Sequence, residues 1–169
     1  MGDTKNINRE KYLNAILFFV KNCNNDHLGI MKLNKLFYYL DFISYRDRQK
    51  TITGETYVHY PKGPFAKNLD EELLSEAQSS GLIERKEIAS DKYGKRNRFK
   101  ALKEANLDVF DDYEKKLLVD ICSEFEGWNT DQMVAQTHSE APWVFSDVNG
   151  DLNYEDSDDI EFFKVEVTA

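Results

Sequence analysis

The run Met31-Lys32-Leu33-Asn34-Lys35-Leu36-Phe37-Tyr38-Tyr39-Leu40-Asp41-Phe42-Ile43-Ser44-Tyr45 decides the fold. Leu33, Leu36, Phe37, Leu40 and Ile43 or Ser44 recur at three- and four-residue intervals, the spacing that lines up one side of an α-helix. The run therefore predicts a helix over 31–45 with one buried stripe. Lys32, Lys35 and Tyr39 fall elsewhere around that helix and are expected to reach solvent.

Working outward, a partner helix is expected over 9–23. Asn8 can cap it, Ile7 can staple it, and Tyr12, Leu13, Ile16, Leu17, Phe19, Val20 and Cys23 form a wide apolar face. The polar run 22–27 and Gly29 separate the two helices. After the second helix, Thr53-Gly54 reads as a turn and Thr56-Tyr57-Val58-His59-Tyr60 as an extended stretch. Pro64 suits the first position of a third helix over 64–79, where its missing N–H costs nothing, with Leu69, Leu73, Leu74 and Ala77 inward and Gly81 as the stop. Two short strands, 82–88 and 96–101, joined through Asp91, Lys92, Tyr93 and Gly94, predict a charged hairpin. A fourth helix is expected over 112–126, stopped by Gly127, and a short fifth over 131–137 capped by Thr130. A last short helix over 156–163 can pack Tyr154, Ile160, Phe162 and Phe163 back onto the body.

The sum is one mainly α domain of 169 residues, with about five or six helices and one inserted β-hairpin. Its core is expected over about 7–146 on the first, second and fourth helices, followed by an acidic segment over 147–169. The longest apolar stretch, 12–20, is shorter than the about 20 residues a bilayer span needs, and residues 1–6 are too polar for a secretion signal. A cytoplasmic location is expected. Cys23 and Cys122 each fall on an apolar helix face, as small buried hydrophobes do, so no disulfide framework is expected.

Charge is distributed unevenly. Residues 1–83 carry 11 basic and 10 acidic side chains, 84–103 carry 8 and 3, and 104–169 carry 3 and 18. The acidic end would repel nucleic-acid phosphate and attract a basic protein partner. The basic hairpin (Arg85, Lys86, Lys95, Arg96, Arg98) following a helix has the order of a winged helix-turn-helix. The preceding helix argues against that reading, because Asp70, Glu71, Glu72 and Glu76 oppose Lys67 alone and would meet phosphate repulsion. Nucleic-acid binding by the hairpin remains the alternative function.

No catalytic constellation is complete. His138 and Glu140 have the His-x-Glu spacing of zinc deaminases, but Pro142 is followed by Trp143 rather than by the cysteines such a site requires. His138 beside Ser139 forms no triad, since neighbouring side chains diverge and no Gly-x-Ser-x-Gly elbow exists. The alternation Asp147, Asn149, Asp151, Asn153, Glu155, Asp158 imitates a calcium loop but has Leu152 where the sharp turn needs Gly and Asp158 where a bidentate Glu belongs. The expectation is a binding protein with no metal, no cofactor and no enzymatic activity.

Three elements occur in order along the chain: Lys32-Leu33-Asn34-Lys35-Leu36-Phe37-Tyr38-Tyr39, then Tyr60-Pro61-Lys62-Gly63-Pro64, then Thr137-His138-Ser139-Glu140-Ala141-Pro142-Trp143. Together they resemble the Lys-Leu-x-Lys-Leu-x-Tyr-Tyr helix, the Tyr-Gly-Pro element and the His-x-Glu-x-Pro-Trp element of Panacea antitoxin domains from bacterial and phage toxin-antitoxin systems. Pro61 and Lys62 lengthen the middle element. The resemblance implies neutralisation of a cognate protein toxin by direct binding and, in some relatives, delivery of that toxin to a AAA+ protease. It points to Lys32, Lys35, Tyr38, Tyr39, Tyr60, Gly63, Pro64, His138, Glu140 and Trp143 as toxin-binding candidates. Read as plain chemistry, Tyr60, Gly63 and Pro64 can equally shape a turn, and His138, Glu140 and Trp143 can anchor a loop or form the rim of a binding surface.

Overall fold

The computed structural model describes residues 6–23, 28–90 and 94–165, with backbone alone at 90 and 94–96. The breaker residues 24–27, the hairpin tip Asp91-Lys92-Tyr93 and the side chains of Lys95 and Arg96 lie outside the described residues.

Asn8 caps the first helix as expected, its side chain accepting the Lys11 amide at 3.0 Å, and α1 runs Arg9–Asn22. The deciding run lies within α2, Ile30–Arg48, which is 19 residues long and ends where Gln49 turns left-handed. One expectation fails here. Every residue from Lys32 to Ser44 is buried, so α2 has no solvent face along most of its length. Tyr12 and Phe19 of α1 pack on Phe37, while two later helices, a hairpin strand and the C-terminal segment close the other sides.

Pro64, expected at the first position of a helix, starts none. It lies in a hairpin that the sequence reading did not foresee, formed by β1 (Tyr57–Tyr60) and β2 (Gly63–Ala66) with Pro61 and Lys62 as its exposed loop. The fold therefore carries two hairpins. The placement of proline has a simple cause. His59, opposite Pro64, gives its N–H to Gly150 and its carbonyl to Asn149 on the other edge of β1, so this is a non-hydrogen-bonded pair that asks no donor of position 64.

The third helical stretch starts later than expected, as a π-helical turn, Leu69–Leu74, leading into α3, Ser75–Ser79. Gly81, at φ +73°, stops it. β3 (Ile83–Ser90) and β4 (Gly94–Ala101) pair antiparallel as the second hairpin. Its root is anchored by buried Ile83 and Phe99, while Lys86 to Ala89 stand exposed.

α4, Asp112–Phe125, opens on a capping box between Asp111 and Glu114. α5, Thr130–Thr137, is capped one residue earlier than expected, by Asn129 with Gln132, and Thr130 is its first helical residue. A short α6, Ala141–Val144, follows with Pro142 in its first turn. Cys23 and Cys122 are bonded to each other, joining the end of α1 to α4 across 99 positions of sequence. Two separately buried thiols were expected; helix packing brings both apolar faces to one point, which spacing along the chain cannot reveal.

The acidic segment is part of the body. Leu152 N–H bonds to Tyr57 O at 2.8 Å, Tyr154 O–H donates to Glu55 O at 2.5 Å, and Arg46 donates to the Ile160 and Phe162 carbonyls. In place of a helix over 156–163 it forms a 3-10 turn, Tyr154–Asp159, after which Ile160 is fully buried. The core thus extends beyond 146. No described helix is long and apolar enough to cross a membrane.

Candidate functional site

The three sequence elements meet along the first half of α2. Tyr38 and Tyr39 are adjacent in the chain and both fully buried, and their hydroxyls donate to the two oxygens of Glu140, at 3.0 and 3.2 Å. Gln136, one turn earlier on α5, adds a third donor at 3.2 Å. Burial outweighs these bonds and pushes the Glu140 carboxyl up to about 7. Lys35, one turn before Tyr38 and Tyr39, donates to Pro64 O at 3.0 Å, and burial holds its amine down at about 7. Lys32 places its ammonium among the carbonyls of Phe125 and Trp128 at 2.6 and 2.7 Å, where it closes the C-terminal end of α4; burial lowers it to about 8.

Gly63 is where the hairpin touches α2 and α5. At φ +100° its missing side chain leaves the space filled by Thr137 and Lys35: a Cβ there would stand 2.7 Å from Thr137 Oγ1 and 2.9 Å from Lys35 Cε. Trp143 fastens the outside of the same junction. Its indole N–H donates to Tyr60 O at 3.0 Å, and its ring is stacked between those of His59 and His138, each at 4.0 Å. His138 stacks on Trp143 beside the hairpin loop, and partial burial lowers its pKa. His59 Nδ1 pairs with Ser146 at 2.8 Å. What reaches solvent is the loop Tyr60-Pro61-Lys62, with Trp143 and His138 half-buried behind it.

A family profile described as antitoxin SocA-like, Panacea domain, matches residues 33–144, more than half of the chain. The chain belongs to that family. No curated protein and no solved structure matches it.

Within this Panacea domain the ten candidate residues divide in two. Lys32, Lys35, Tyr38, Tyr39, Gly63, Pro64 and Glu140 are buried, which corrects the expected exposure of Lys32, Lys35 and Tyr39; each polar group among them is spent on a partner inside the fold. Tyr60, His138 and Trp143 retain accessible surface. The elements that carry the resemblance thus act first as a lock between α2, the first hairpin and the α5–α6 turn.

Sequence reasoning missed His59, the second face of the tryptophan stack, and Asp41 and Glu55, two buried carboxylates beneath the lock. Asp41 accepts from Ile52 N and Thr53 N, both at 2.8 Å, and from Thr53 Oγ1 and Tyr57 O–H at 2.5 and 2.6 Å. Glu55 accepts from Tyr12 O–H at 2.6 Å and from Asn68. A signal for Asp41 was present, since a lone carboxylate inside Leu40-Asp41-Phe42-Ile43 must find donors if the helix is buried.

The hairpin cations of the alternative reading are partly engaged within the protein. Arg85 pairs with Asp70 at 2.6 Å and with Asn97, and lies over the Phe99 ring; Lys86 pairs with Glu84 at 3.3 Å; Arg98 is half-buried. No group of three His, Cys, Asp or Glu side chains poised to hold a metal occurs among the described residues.

The shifted carboxyls set a pH dependence. Glu140 is raised from 4.5 to about 7 and Asp41 from 3.8 to about 6, so each contributes stability that is fully present below its ordinary value and lost as pH rises through the folded value. Lys35 and Lys32 are lowered from 10.5, and their contribution is lost as pH falls to about 7 and 8, so neither varies between pH 5 and 6.5. His138, lowered by partial burial, works the other way below its ordinary value, but a half-buried imidazole is outweighed by two buried carboxyls, so the melting temperature is expected to be higher at pH 5 than at pH 6.5. Glu140→Gln, which cannot ionise, should flatten that slope by an amount on the order of 2 kcal/mol. A melting temperature that climbs with pH across this window, or an unaltered slope in Glu140→Gln, would contradict the assignment.

Proposed function

We propose that this Panacea domain is an antitoxin that neutralises a cognate protein toxin by direct binding, and that the toxin docks where the hairpin loop Tyr60-Pro61-Lys62 meets Trp143 and His138. Family membership over residues 33–144 carries the first half of this reading. The second half is supported by the lock itself: the buried Lys35–Pro64 and Tyr38–Glu140 bonds and the close packing at Gly63 hold in place an aromatic surface of the kind that anchors protein interfaces. Binding suffices for neutralisation if the toxin's working surface is covered. Delivery to a AAA+ protease would use the same bound complex. The reading requires no cofactor, metal or catalysis by this chain, and its cytoplasmic setting follows from a toxin that acts inside the cell.

The test is co-expression with the product of the small open reading frame next to its gene, with growth scored and the complex recovered on a tag. Toxicity of the neighbour alone, relief by this chain and recovery of both in fixed ratio are expected. A harmless neighbour together with recovered nucleic acid would favour the basic hairpin instead.

A further inference from the structure

Immediately after Trp143 the described residues show their closest spacing of exposed apolar side chains. Val144, Phe145 and Val148 stand 49%, 74% and 72% exposed within five residues, whereas Tyr60, Ile88, Leu102, Leu107, Val119 and Val165 stand singly along the chain. Scattered apolar side chains are ordinary on a protein surface, whereas three exposed within five residues are a candidate docking point. Phe145 follows directly on α6 and gives its amide to Ala141 O, so its ring is held outward by a fixed backbone.

The surroundings specify what would sit there. α6 packs against the 3-10 turn Tyr154–Asp159, and Asp159 accepts the Ala141 amide at 2.8 Å. Residues 144–165 hold seven carboxylates and one lysine. Asp147, Asp158, Asp159 and Glu161 are exposed, and the lysine, Lys164, pairs with Glu161. An apolar centre with an acidic margin is complementary to a segment that presents apolar side chains among lysines and arginines, and it repels acidic segments and nucleic acid alike.

We infer that the ledge formed by Val144, Phe145 and Val148, with its margin of Asp147, Asp158 and Asp159, binds a basic amphipathic segment of a protein partner. Phe145 enters the partner's apolar face, and the carboxylates steer and orient its cations. The inference rests on the antitoxin reading for the biological occupant, which would be a basic segment of the toxin, but its chemistry can be examined without one.

The probe is a synthetic amphipathic helix of leucine and lysine, titrated into the isotope-labelled full chain and followed by backbone amide shifts. Its leucine–glutamate counterpart and a lysine-only peptide are the controls. Shifts are expected at 144–148 and 155–161 with the leucine–lysine peptide alone. Affinity should fall about tenfold in Phe145→Ser, a change at an exposed position that leaves the fold intact, and should weaken between about 50 and 300 mM salt. Shifts elsewhere, no binding, equal binding of either control peptide, or unchanged affinity in Phe145→Ser would each overturn the inference.

The same variant separates this inference from the antitoxin reading. If Phe145→Ser still neutralises a co-expressed toxin with full affinity, the ledge is wrong and the antitoxin reading stands. If the peptide maps to the ledge while the genomic neighbour proves harmless, the ledge stands and the antitoxin reading fails.

Discussion

Asp41→Ala is expected to leave the domain largely unfolded at room temperature. The carboxylate is fully buried and serves four donors, two amides of the 52–53 turn, the Thr53 hydroxyl and the Tyr57 hydroxyl. Alanine removes every acceptor at once. Each stranded buried donor costs about 1–3 kcal/mol, so the total is comparable to the about 5–15 kcal/mol that holds a domain together. Asp41→Asn is the informative companion. Its amide oxygen still accepts from the two backbone amides, and its NH2 can donate to the two hydroxyl oxygens, so a loss of only about 1–2 kcal/mol is expected. Denaturant midpoints followed by far-UV circular dichroism would check both. A folded Asp41→Ala protein with a midpoint near the wild type would show that the 52–57 turn does not depend on this carboxylate.

Gly63→Ala acts on the lock rather than on the core beneath it. At φ +100° a non-glycine residue is strained by roughly 1–3 kcal/mol before any contact is counted. The new methyl would also stand within 3 Å of Thr137 Oγ1 and Lys35 Cε, both belonging to buried residues, so one of them must leave its place. Loss of the Lys35 bond to Pro64 O is the expected outcome, with a total cost of about 3 kcal/mol and displacement of the hairpin from α5. Toxin neutralisation should fall along with the melting temperature. Gly81→Ala is the control, because Gly81 also has a positive φ but nothing within 4 Å of its added Cβ, so strain alone should be felt there. Equal losses in the two variants would remove the case for a tight junction at Gly63.

These residues also show how far the sequence could be read. The period of Leu33, Leu36, Phe37 and Leu40 located α2, and Asn8 and Gly81 marked helix ends, because such signals are local. The burial of Lys32, Lys35, Tyr38 and Tyr39 was not legible, since what makes it tolerable lies 29 to 102 positions away, in the carbonyls of Pro64 and Phe125 and the carboxylate of Glu140. Pro64 misled for a related reason. Its ring fits the first turn of a helix and the non-hydrogen-bonded position of a hairpin equally well, and only the pairing of His59 with Gly150 decides between them. The site was legible as a set of three elements and not as a surface. The exposed part of the candidate site is the Tyr60-Pro61-Lys62 loop, with His138 and Trp143 half-buried behind it, while most of the residues that carry the resemblance are the support beneath.

The proposed toxin surface is tested most directly by a loop variant that leaves the lock untouched. Lys62→Glu combined with Tyr60→Ser alters two exposed side chains and no buried hydrogen bond, since Trp143 bonds the Tyr60 backbone carbonyl. Co-expression of the neighbouring open reading frame with wild type and with this double variant, followed by affinity recovery and a melting curve, gives the comparison. The predicted result is a stoichiometric complex and normal growth with wild type, and loss of both with the double variant, whose melting temperature falls only by what the surface Tyr60–Phe65 ring stack contributes. Full neutralisation by the double variant would contradict docking at this surface.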